Sequence, residues 1–180
     1  MHLPEFATPL ARAQVEQLMQ PALIRVIDNI RKQLEVSDWQ GSYEEELIWP
    51  VGTTAEQQQA YTTLQKQLHG VPPEEHDRVA ALMSQLPQPS PLYRLKLLPA
   101  KSTGLVNGPA EPVTEPAVEK VVDIWALCYQ VCAIAYDPEE ADDSPIEADN
   151  SLLDDQGDID WQRLDDKTKL LVENIFQKLP

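Results

Sequence analysis

The sequence predicts a mostly α-helical protein, a single domain of about five or six helices with one or two short extended segments. An α+β arrangement is the nearest alternative. Three observations carry this expectation. Apolar residues recur at three- and four-residue intervals over most of the chain, Thr and Pro sit where helices would begin, and two-residue alternation is confined to short stretches. A length of 180 residues suits one hydrophobic core better than two, and 42% hydrophobic residues are enough to build it.

The first helix opens with Thr8 as N-cap and Pro9 at the first helical position. Leu23, Ile27, Ile30 and Leu34 then form an apolar stripe, with Arg25, Asp28, Arg31 and Lys32 largely off it. Pro21 interrupts the pattern, and the expectation is two helices meeting near residue 20 rather than one kinked helix. SDWQGSYEEELIWPVGTT breaks the periodicity, with LIWPV as a short extended segment restricted to an edge by its proline. Thr53 with Glu56, or Thr54 with Gln57, has capping-box spacing for a helix ending near Leu68. Its apolar stripe is Tyr61, Leu64 and Leu68. After Pro72 and Pro73 a second helix runs from about Glu74 to Leu86, with Val79, Leu82, Met83 and Leu86 inward, completing a helical hairpin.

A proline-rich segment spans 87–116, and within it PLYRLKLLP alternates Tyr93, Leu95 and Leu97 with Arg94 and Lys96, a short strand with one basic face. KSTGLVNGPAEPVTEP reads as a linker or long surface loop; its Asn107-Gly108 pair could instead turn a hairpin. The region 117–136 is expected to be the central, buried helix, capped by Thr114 or Glu115 with Pro116 behind the cap. The strand formers in VVDIW and YQVCAIAY leave a β alternative open. At the end, IDWQRL forms one turn capped by Asp160, followed by a terminal helix with Leu170, Leu171, Ile175, Phe176 and Leu179 on its packing side.

Charge is uneven. The formal net charge is −16, and eleven of the 24 residues from Asp137 to Asp160 are acidic with no Lys or Arg among them. Such a field repels phosphate backbones and anionic lipid, so nucleic acid is not an expected ligand. The longest apolar run, Ile124 to Tyr136, is too short to span a bilayer, and MHLPEFATPL lacks the pattern of a secretory signal. Cys128 and Cys132 are the only cysteines, four apart, and read as reduced core residues in a cytoplasmic chain.

No catalytic, cofactor or metal residue is assigned. An EF-hand register on DDQGDIDW fails, because Gly157 at its sixth position places Leu152 first and Arg163 last. The acidic loop 137–160 reads as a mobile solvated spacer, or as a steering charge for a basic partner through Asp142, Asp143, Asp154 and Asp155. Trp39, Tyr43 and Trp49 lie within eleven residues around Glu44, Glu45 and Glu46, a combination that suits aromatic anchoring beside acid. The leading expectation is therefore a noncatalytic protein-binding factor, of the assembly, adaptor or regulatory kind, for a partner with a basic patch; its own oligomeric state is left open. An enzyme with acid/base groups at Glu74, Glu75, His76 and Asp77 is one alternative, and a structural subunit of a larger complex is another.

Overall fold

A computed structural model describes residues 4–100, 118–138 and 144–180. The linker expected after residue 100, its alternative hairpin and the cap at Thr114 or Glu115 lie outside those residues. Among the described residues five α-helices are accompanied by two small sheets, with 54% helix and 21% strand. The protein is thus an α+β mixture rather than mostly α, since residues expected to lengthen helices or form loops are extended instead. The chain divides into a smaller unit, Glu45–Leu92, and a larger one made from the residues up to Glu44 and Tyr93–Pro180.

The larger unit is built on α1, Pro9–Val36. Thr8 accepts a hydrogen bond from the Ala11 N–H at 2.9 Å, so the cap stands where the sequence puts it. The helix does not stop at Pro21. A proline in a helix interior costs about 3 kcal/mol in isolation, but Leu18 and Ala22, on either side of it, are fully buried. Breaking the helix would expose both, and packing decides the matter. The face pressed into the core is Val15, Leu18, Ala22, Val26 and Ile30, while Leu23, Ile27 and Leu34 pack half-buried on its flank. Small residues take the centre because two helices, α4 (Ile124–Cys132) and α5 (Trp161–Gln177), both close against α1.

The expected central helix over 117–136 is three elements. Strand β3, Lys120–Asp123, pairs antiparallel with β2, Ser90–Pro99, setting Leu95 opposite Val122 and Lys96 opposite Val121. Asp123 then accepts from the Ala126 N–H at 3.0 Å and starts α4, which ends where Ala133–Ile134 becomes β4. The β-branched pair Val121-Val122 satisfies its backbone across the sheet, an option invisible to helical periodicity. The burial expectation holds for six of the nine helical residues, Ile124, Ala126, Leu127, Cys128, Val131 and Cys132, while Trp125, Tyr129 and Gln130 are half-buried.

The acidic segment is also corrected. From Ser144 onward it is docked: Ile146 exchanges backbone hydrogen bonds with Glu5 and Ala7, and β5 (Glu147–Ala148) pairs with β4. A 3-10 turn, Asn150–Leu152, buries Leu152. Apolar residues spaced between the carboxylates anchor the chain, and the charge count conceals them. Helix α5 then runs unbroken from its Asp160 cap, so the separate turn expected at IDWQRL is its first turn. Leu164, Thr168 and Val172 are buried, whereas Leu170 points away and is 59% exposed. Its position lies well over a quarter-turn from that row on the helical wheel.

In the smaller unit, α2 (Ala55–Leu68) carries the reciprocal Thr54–Gln57 capping box, and α3 covers Pro73–Ser84. Of the expected inward residues of α3, Val79 is buried but Leu82 is 44% exposed. The chain enters this unit along β1, Trp39–Ile48, a ten-residue strand and not the short extended segment LIWPV. No helix among the described residues is long and apolar enough to cross a membrane.

Leu18 tests the dependence on α1. Leu18→Ala should lower the unfolding free energy by about 2–5 kcal/mol, whereas Leu10→Ala, at a position 66% exposed, should change it by less than about 0.5 kcal/mol. Denaturant melts of the two variants give the comparison, and similar small losses would contradict a core organised on this face.

Candidate functional site

The sheet β1-β2-β3 brings Tyr43 against Tyr93 and Glu44 against Lys96 within the larger unit. Strand formation here follows from Trp39 and Tyr43 alternating with small and polar residues, which puts both rings on one face. Trp39 is half-buried and packs on the core. Gly41 makes this approach possible: a Cβ there would stand 2.8 Å from a Leu34 methyl carbon and 3.0 Å from one of Leu95. Tyr43 lies further out, 37% exposed, and stacks on Tyr93 with ring centroids 5.5 Å apart and planes 13° from parallel. Burial and then the neighbouring Tyr93 hydroxyl push the Tyr43 phenol above its ordinary pKa.

The opposite face of the same strands carries charge. Lys96 Nζ lies 3.0 Å from Glu44 and 3.8 Å from Glu119. The hydrogen bond to Glu44 and the field of both carboxylates hold the ammonium above its usual range. One cation thus serves two carboxylates, and the three-residue group stays net negative. The basic face read at Arg94 and Lys96 was legible in the sequence, but its meeting with Glu44 was not, because strand order is a tertiary fact. Tyr93, Lys96 and Glu119 were accordingly missed as site residues. The signal available was complementarity between an acidic and a basic strand.

The other candidates fall in different places. Trp49, in the smaller unit, sets its ring edge-on to Tyr61 at 5.4 Å and serves the packing of the hairpin. Glu45 is exposed in that unit, and Glu46 has an interaction partner. Asp142 and Asp143 lie outside the described residues. Asp155 is exposed, but one Asp154 carboxylate oxygen accepts the N–H groups of Gln156 at 2.8 Å and Asp158 at 2.9 Å. Asp154 therefore builds the turn that Gly157 completes at φ 84°. Glu74, Glu75, His76 and Asp77 are exposed on the first turn of α3, where His76 Nε2 lies 3.1 Å from the Val71 carbonyl oxygen. Acid in that turn complements the helix dipole.

A second polar group holds the larger unit together. Lys167 donates to Asp149 at 2.6 Å and to the Ala133 carbonyl at 3.1 Å, while Asp149 also receives the Ser151 N–H and hydroxyl. Burial raises the Asp149 pKa, but the hydrogen bonds from Lys167 and Ser151 outweigh it and leave the carboxyl below its ordinary value. Nearby, Cys128 and Cys132 are free and buried. Burial is the main cause that pushes both thiols up, Cys132 to about 12. Among the described residues no three His, Cys, Asp or Glu side chains converge as a metal site. Comparison with known proteins finds no matching family model, no similar curated protein and no similar solved structure.

Two outcomes follow from this geometry. Native thiol labelling should be slow and should accelerate on adding denaturant, because the thiolate is scarce and shielded; rapid native labelling of both cysteines would contradict their placement. Asp149→Asn should cost roughly 1–3 kcal/mol at neutral pH, the scale of a lost charged hydrogen-bond pair. Because the folded pKa is depressed, this contribution is complete above the unfolded carboxylate value and is lost as pH falls through the folded one. The gap between wild type and variant in urea melts should therefore close as pH falls below the ordinary carboxylate range, and a gap independent of pH would refute the pairing.

Proposed function

We propose that the chain is a noncatalytic protein-binding factor, of the assembly, adaptor or regulatory kind, whose partner presents a basic or mixed-charge surface. The observation that supports this reading most directly is the Tyr43–Tyr93 stack, with Tyr43 37% exposed and Tyr93 half-buried, on strands that also hold Glu44 and Glu119 around Lys96. Stacked rings are rigid, so binding to them sacrifices little side-chain entropy, and aromatic residues dominate the energetics of protein interfaces. Carboxylates beside them favour encounter with cationic surfaces. The net charge of −16 extends that preference beyond the immediate contact. A reducing, cytoplasmic setting fits the two unpaired cysteines.

Association and dissociation kinetics against a copurifying partner separate the two contributions. Tyr43→Ala should accelerate dissociation about tenfold or more if the stack anchors the interface. Neutralising Glu45 and Asp155 to Gln and Asn should instead slow association several-fold at about 0.05 M salt, and the difference should shrink at about 0.5 M as screening shortens. Asp154 is unsuitable for this substitution because its carboxylate builds a turn. Unchanged kinetics for both variants at low salt would overturn the proposed function.

A further inference from the structure

Strand β1 is an outer strand: among the described residues its neighbour is β2, which lies in turn beside β3. The direction of its main-chain groups follows from one hydrogen bond. The Ala100 N–H donates to the Asp38 carbonyl at 2.7 Å. On an extended strand the N–H and C=O of one residue share a side, and the side alternates along the chain. Asp38, Gln40, Ser42 and Glu44 thus turn toward β2, and Trp39, Gly41 and Tyr43 turn their backbone groups outward. Gln40 to Glu44, all within the larger unit, are exposed.

We propose that this outer edge accepts an extended, Lys- or Arg-bearing segment of a partner protein, which adds as a further strand beside Trp39–Glu44. The inference rests on the protein-binding reading above and specifies its mode. Main-chain hydrogen bonds from Trp39, Gly41 and Tyr43 would supply register and affinity, and alternate side chains of the incoming strand would supply selectivity. Its charge is set by the strand that receives it. WQGSYEEELI contains three glutamates and no Lys, Arg or Pro, and on the face of β1 that bears Glu44, the neighbouring Lys96 is already shared with Glu119. A second copy of this chain is a poor occupant, because parallel in-register pairing of β1 sets Glu44–Glu46 against themselves and antiparallel pairing about Gly41 sets Glu44 opposite Asp38, and like charges directly opposite are destabilising. The competing account is protective: charge on an outer strand keeps other strands away.

Amide hydrogen exchange of the full wild-type chain distinguishes the two, with a capped eight-residue peptide of alternating Lys and Thr as probe. The control peptide is the same sequence N-methylated at two adjacent central residues, which keeps the charge and blocks both edges. Without peptide, the amides of Gln40, Ser42 and Glu44 should exchange slowly and those of Trp39, Gly41 and Tyr43 quickly. Adding the Lys-Thr peptide at low salt should slow the second set, and it should bind about tenfold tighter than the control, the worth of one or two main-chain hydrogen bonds. Equal affinity for the two peptides, or unchanged exchange at Trp39, Gly41 and Tyr43 with peptide bound, would overturn the added-strand mode and leave acid-driven protein binding to its own kinetic test. Failure of the Lys-Thr peptide to bind at all would overturn it as well.

Discussion

The larger unit depends on the continuity of α1. Helices α4 and α5 both close on the face formed by Val15, Leu18, Ala22, Val26 and Ile30, and that face exists only if the helix passes through Pro21. A break would separate the halves of the stripe and uncover side chains with no accessible surface. Local conformational preference and burial oppose each other here. Burial prevails because each fully buried aliphatic side chain is worth roughly 1.5–3 kcal/mol, so the residues flanking Pro21 outweigh one missing hydrogen bond.

Around that face the polar interactions have a division of labour. Lys167 and Asp149 join α5 to the segment after α4, where the acidic stretch lies against the core. The pair satisfies a backbone carbonyl as well as two charges, so it positions chain segments besides neutralising them. The group on the sheet differs. Lys96, Glu44 and Glu119 are nearer solvent, which makes them weak contributors to stability.

The acidic segment shows how composition and position diverge. Its charge is a property of the whole stretch, but Ile146, Ala148 and Leu152 are the residues that reach the core. Asp149, Asp154 and Asp160 each accept backbone N–H groups at the start of a turn or helix. Acidic side chains here therefore do local structural work in addition to setting the field, and Asp155 is closer to a pure surface charge.

By itself the sequence determined the caps at Thr8 and Asp160, a capping box at Thr53 or Thr54, the helical hairpin around Pro72 and Pro73, the strand near Tyr93–Leu97, the burial of most of Ile124–Cys132 and the sign of the electrostatic field. These are local or additive properties, set by side-chain hydrogen bonding over three residues, by hydrophobic content or by a sum of charges. Tertiary structure alone decided that Pro21 stays inside a helix, that Lys120–Asp123 pairs with β2, that Ser144–Asp160 docks, and that Tyr43 meets Tyr93 while Lys96 meets Glu44. Each of these pits a local preference against a partner distant in the chain. The partner's contribution, buried area or a shared strand ladder, leaves no trace in the spacing of the residues that receive it.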